Sequence, residues 1–148
     1  MSGEETRVIK NAYRRRNMNV LSDYLEELIL LVAGEIGQEV IEESNGGFQK
    51  ITLDTTQVKL LTIPTDAVSA TLQLEADSTT TNKQKVIRVK YSGTNPTLTD
   101  GFVYEDGIII PLAGRDNLQK LRIIGLEAGK QHTLWVQYYR SAGNGSGT

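Results

Sequence analysis

No cysteine occurs in this chain of 148 residues, and it holds one histidine, one tryptophan, two phenylalanines and three prolines. Without cysteine there is no disulfide, no thiolate metal ligand and no thiol nucleophile, so stability has to come from packing, and redox usage says nothing about compartment. A lone histidine, His132, rules out a multi-histidine metal centre and leaves any Ser/His/Asp triad dependent on that one side chain. Ser22, Ser69, Ser92 and Ser141 stand in no nucleophile-elbow context. The acidic pairs Glu42-Glu43 and Glu105-Asp106 are adjacent in sequence and so diverge, unlike the opposed carboxylates of a glycosidase. The longest apolar run, Leu28 to Ala33, is far too short to cross a bilayer, and the first twenty residues lack the apolar stretch of a secretory signal. Gly143-Asn-Gly-Ser-Gly147 is followed by no Lys-Ser/Thr and reads as a flexible tail over residues 142–148. The expectation is a non-enzymatic protein with no cofactor, no metal and no membrane contact, made in the cytoplasm, whose work is assembly or binding.

What is present begins with a segregation of charge. Residues 1–20 carry five basic side chains, among them Arg14, Arg15 and Arg16, against two acidic ones, whereas residues 21–45 carry seven carboxylates and no Lys or Arg. A basic arm can bind phosphate by releasing counterions, but five positive charges beside two negative ones make a weak case for nucleic acid. The simpler reading is that the arm folds against an acidic surface, either the helix that follows or a partner, with the Arg14-Arg15-Arg16 run mostly solvated. In residues 21–45 an amphipathic helix is expected, capped by Asn19 or Ser22, with Asp23, Glu26 and Glu27 near the positive end of its dipole. Leu21, Leu25, Leu28 and Val32 form a heptad-like seam, and Ile29, Leu30 and Leu31 widen the apolar surface beyond one stripe, so that Leu21, Leu25, Leu28, Ile29, Val32 and Ile36 are the expected oligomer interface. Such a helix needs neighbours on more than one side. Self-association buries it, most naturally as a short bundle along a cyclic axis; packing across its own strand domain is the alternative. A break is expected at 34–37, where two glycines lower helix propensity, and Asn45-Gly46-Gly47 reads as the linker into the next domain.

From residue 46 to 141 the period changes from helical to two. Phe48 to Leu53, Val58 to Ile63, Ala70 to Ala76, Val86 to Tyr91, Phe102 to Tyr104, Ile108 to Ile110, Leu118 to Ile124 and Leu134 to Tyr139 are the expected strands. Pro64 stops the second of these. Asp106-Gly107 supplies the positive φ angles of a tight hairpin between Phe102–Tyr104 and Ile108–Ile110. The fold class is therefore mainly β, an antiparallel sandwich of seven or eight strands preceded by the arm and one helix, with the strand domain expected to fold alone. Trp135 and Tyr139 share one side of the last strand. They would form a ligand face for stacking sugar rings, unless Trp135 is an interior anchor, the reading its size favours. The polar loop Thr79 to Lys83 is a second place where a partner could touch.

The ordered set Val86-Ile-Arg-Val-Lys-Tyr91, Gly93-Thr-Asn-Pro-Thr97, Gly101, Asp106-Gly107, Asn117-Leu118, Arg122-Ile-Ile-Gly125, Gly129 and Leu134 to Tyr139 resembles a small β-sandwich found in structural proteins of tailed-bacteriophage virions. The likeness spans residues 66–141 and lies in turns and core positions, not in a chemical signature. It implies a virion component without catalytic residues. A basic arm and an apolar helix ahead of such a domain resemble head fibre or capsid decoration proteins, which would make Arg14, Arg15 and Arg16 the attachment to a major capsid protein or another virion protein, with host-surface glycans as an outer partner. A head-to-tail connector or tail component is the alternative in that class, and a carbohydrate-binding module using Trp135 and Tyr139 the alternative outside it.

Overall fold

The computed structural model describes residues 37–142. The expected attachment residues Arg14, Arg15 and Arg16, and the apolar seam of Leu21, Leu25, Leu28, Ile29, Val32 and Ile36, lie outside the described residues, as does the tail beyond Ala142. The described chain is mainly β. Eight strands follow in order: β1 (Gln38–Val40), β2 (Phe48–Leu53), β3 (Ser69–Glu75), β4 (Ile87–Lys90), β5 (Phe102–Tyr104), β6 (Ile109–Ala113), β7 (Arg122–Gly125) and β8 (His132–Ser141), with one short helix α1 (Arg115–Lys120) before β7. They form two antiparallel sheets. In the larger, β8 is flanked by β3 and then β6 on one side, while β1 and β2 share its other edge; the smaller runs β5-β4-β7. After β3 the chain crosses between sheets four times.

Alternation explains the pairing. Leu72 and Leu74 of β3, Ile87 and Val89 of β4, and Leu134, Val136 and Tyr138 of β8 are buried in one hydrophobic cluster shared by both sheets, while Thr71, Gln73, Arg88 and Trp135 between them keep contact with solvent. Each fully buried aliphatic side chain contributes about 1.5–3 kcal/mol, and a register slip of one residue would turn every one of them outward. Leu118 of α1 and Leu121 close the same cluster.

Five expectations about secondary structure and its connections need correction. Residues 38–45 are not the end of a helix: Gln38–Val40 is a strand and Glu43–Asn45 a single 3-10 turn, because Ile41 is drawn into the core at 1% exposure. The strand domain thus starts before residue 46. Asn45-Gly46-Gly47 is no linker either. Its amides bond back to Glu42 and Glu43 at 3.0–3.1 Å, Gly46 adopts φ 77°, and a Cβ on Gly47 would lie 2.0 Å from the Ile41 carbonyl oxygen. Asp106-Gly107 turns the chain with φ 83° at Gly107, but β5 pairs with β4 and β6 with β3, so the turn carries the chain from one sheet to the other and makes no hairpin. The Gly107 amide and the Asp106 carboxylate bond the end of β3 instead, at the Leu74 carbonyl and the Ala76 amide, both 2.8 Å. In Leu118 to Ile124 only Arg122–Gly125 is strand. Gly114 starts α1, and an Asp116–Lys120 ion pair at 2.9 Å spans it. Val58 to Ile63 makes only the isolated bridge Lys59–Ile123.

Candidate binding surfaces

Trp135 lies on the outer side of the larger sheet. The register sets Lys50 of β2 and Gln73 of β3 opposite it, with Ile109 of β6 opposite Gln73. Trp135 is half-buried, not an interior anchor. Phe48, 37% exposed, leans on it with ring centroids 5.8 Å apart, and the Lys50 ammonium sits 5.2 Å from the ring centroid in a cation–π contact. The expected companion, Tyr139, shares this side of β8 but is 3% exposed and offers no ring face to a ligand. A ligand face of Trp135 plus Tyr139 is therefore not formed; the ring that accompanies Trp135 is Phe48.

Next to Trp135 the sheet is locked from inside. The Gln137 side-chain amide lies within 3.1 Å of the carbonyl oxygens of Ile41, Gly47 and Tyr138, filling the gap left where the chain leaves β8 after β1 and rejoins it as β2. Tyr138 donates to the Gln49 side chain at 2.7 Å, and its burial pushes the hydroxyl pKa up.

His132 is fully buried. Its Nδ1 accepts the Asp77 amide at 3.0 Å, which assigns the ring proton to Nε2, 3.4 Å from the Leu126 carbonyl oxygen. Both nitrogens are committed to backbone. The Thr79 to Lys83 loop is likewise tied down. Asp77 accepts the amides of Gln131 and Thr79 and the Thr79 hydroxyl, bonds that hold its carboxyl well below the usual range. Glu127, at φ 75°, accepts the Thr81 hydroxyl and amide, and these hold its carboxyl below the ordinary value. Lys130 reaches the Thr79 hydroxyl at 3.0 Å. Among the described residues no three acidic, histidine or cysteine side chains are grouped to hold a metal ion, and no helix is long and apolar enough to cross a membrane.

A second surface opens where β4 ends. Lys90, Tyr91, Ser92, Asp100, Gly101 and Phe102 line a cleft of about 570 Å³. Phe102 is 63% exposed and Leu98, on the loop beside it, 50%. The Tyr91 and Phe102 rings stand 6.0 Å apart at 49°, and the Tyr91 and Tyr104 hydroxyls share a 2.5 Å hydrogen bond. Burial, then that bond, raises the Tyr91 pKa. Lys90 pairs with Asp100 at 2.5 Å. The loop from 92 to 101 is held in shape by Arg88, whose guanidinium donates to the carbonyls of Leu98 at 3.0 Å and Gly101 at 2.7 Å. Gly101 takes φ 130°, and a Cβ there would meet the Val89 carbonyl oxygen at 3.1 Å and the Pro96 side chain at 3.2 Å. Sequence reading missed this site: Phe102 reads there only as the first residue of a strand, and its position on the edge strand β5 leaves the ring uncovered.

Compared with protein families, curated proteins and solved structures, the chain matches none of them.

Proposed function

We propose that the chain is a non-enzymatic structural protein of a tailed-bacteriophage virion, a head fibre or capsid decoration protein in which residues 1–20 attach to the shell, residues 21–36 associate the chains as a trimer, and a β-sandwich faces outward. One observation carries most weight. The stretch that resembles virion sandwich domains belongs to a single two-sheet unit, and its turn markers Gly93, Gly101, Gly107 and Gly129 all adopt positive φ, between 81° and 130°. The resemblance therefore rests on residues the backbone requires, since side chains other than glycine rarely adopt those angles. His132, the one histidine, is sealed against backbone groups and offers no nitrogen to a substrate.

The test is mass spectrometry of purified virions together with gold labelling by an antibody to the β domain. Label over the head, at a copy number matching capsid symmetry, is the expected result. Label at the neck or tail would move the protein to the connector or tail class, and absence from virions would remove it from both. A carbohydrate-binding module built on Trp135 and Tyr139 is the weaker reading, because Tyr139 is buried.

A further inference from the structure

We propose that the cleft between the end of β4 and β5 binds an uncharged saccharide. The site does not depend on Trp135 or on where in an assembly the protein resides. Three features point to that ligand class.

The first is a bare aromatic ring at the mouth. Phe102 exposes 63% of its surface, with the tilted Tyr91 ring 6.0 Å from it. A pyranose presents a patch of C–H groups that lies flat on the face of such a ring, in the same way that other aliphatic groups cover aromatic rings.

The second is the polar wall. Lys90 and Asp100 are paired at 2.5 Å, so the cleft offers ammonium donors and carboxylate acceptors side by side with no net charge between them. An anionic ligand would meet the Asp100 carboxylate, and a cationic one the Lys90 ammonium. A neutral polyol satisfies both, since each hydroxyl donates and accepts.

The third is preorganisation. The wall of the cleft is the loop that Arg88 fixes through the Leu98 and Gly101 carbonyls. A Thr97–Asp100 backbone bond at 2.9 Å closes it, and the Gly93 amide ties it to the Lys120 carbonyl at 3.0 Å. Little ordering of the site remains to be done on binding, which removes one of the costs a weak ligand must overcome. The volume of about 570 Å³ falls within the usual range of small-molecule sites.

The experiment uses the full chain, labelled with nitrogen-15, titrated with neutral oligosaccharides of glucose, galactose, mannose and N-acetylglucosamine, and separately with a heparin tetrasaccharide. At least one neutral sugar should shift the amides of Lys90 to Ser92 and of Asp100 to Phe102, with affinity on the order of millimolar. Phe102→Ala should weaken that binding about tenfold, Phe102→Tyr should keep it, and Trp135→Ala should leave it unchanged, with the remaining amide spectrum preserved in each variant. The proposal fails if no neutral sugar shifts these amides, if the shifts cluster at Phe48, Lys50 and Trp135, or if heparin binds more tightly than every neutral sugar. It also fails if the same amides broaden with protein concentration alone, which would make the occupant a second copy of the chain.

Discussion

Each sheet contains one irregular excursion, and in each a single polar side chain gathers the carbonyl groups that the excursion leaves over. In the larger sheet Gln137 collects those of Ile41, Gly47 and Tyr138; in the smaller, Arg88 collects those of Leu98 and Gly101. The outcomes differ. The excursion at 41–47 is short, its Ile41 enters the core and Gly47 packs on the Ile41 backbone, so it leaves no apolar side chain for a partner. The one at 92–101 is longer, lies off the edge strand β5 and leaves Phe102 and Leu98 in solvent. The same device seals one place and props open the other, and what distinguishes them is that Ile41 joins the hydrophobic core cluster while no residue of 92–101 does.

That contrast can be broken by substitution. The largest effect is expected at Ile41→Ala, which removes a core side chain and should cost about 2–5 kcal/mol in urea unfolding. A chain starting at Asn45 loses Ile41 together with β1 and should be destabilised at least as much, contrary to the independent folding expected for a domain beginning at residue 46. An unfolding midpoint unchanged by Ile41→Ala would mean that the excursion is not anchored. Next come the collectors themselves. Gln137→Ala should lower stability by about 1–3 kcal/mol, since buried carbonyls lose their donor. Arg88→Ala should cost a similar amount but act locally, with faster hydrogen exchange confined to residues 97–101. Global loss of protection in Arg88→Ala would show that the two excursions are not separate.

Smaller effects are expected at the two exposed aromatic residues. Trp135→Ala should fall short of the roughly 3–5 kcal/mol typical of a buried tryptophan, and the wild-type indole should be quenched by iodide. Phe102→Ala should stay within about 0.5 kcal/mol of wild type. A Trp135 that resists iodide would return it to the core.

The smallest effect is a pH response in the Asp77 and Glu127 latch. Both carboxyls have folded pKa values below their ordinary ones, so the stabilisation they give is present above the unfolded value and is lost as pH falls through the folded values. Amide resonances of Thr79, Thr81 and Gln131 should therefore move on acidification to about pH 3 and below, and Asp77→Asn should abolish the response at Thr79 and Gln131 alone. Movement of all three in that variant would mean that the two carboxylates are not independent.

Much of the strand pattern was legible beforehand, since β2, β3, β4 and β8 each bury alternate side chains and period two is read directly from residue type. Turn chemistry was legible too, but partner choice was not. Asp106-Gly107 has the angles of a reversal, yet which strands it joins depends on where β3 and β4 lie, and that is non-local. Helix α1 escaped notice because only Leu118 in its six residues is buried, too few positions to display a helical period. The glutamates of residues 39–43 suggested a helix face, while the single fact that overrides them, the burial of Ile41 against β8, depends on residues nearly a hundred positions away. Phe102 was visible as a strand residue; its exposure follows from β5 lying at the edge of its sheet, which no local pattern encodes.

The central place of β8 bears on how the protein is made. All of β1, β2 and β3 pair with it, and Phe48 meets Gln137 across most of the described chain. While the ribosome is still adding residues beyond Gly125, the smaller sheet already has its three strands, but the larger one lacks its middle. Until β8 emerges, β1 and β2 lack the only sheet partner they have among the described residues. Such long-range closure places folding toward the slow end of the range for small domains, on the order of milliseconds to seconds, and makes completion of the larger sheet a step that follows synthesis of the rest. The unpaired edges of the early strands are then the segment of the nascent chain most exposed to association with its neighbours.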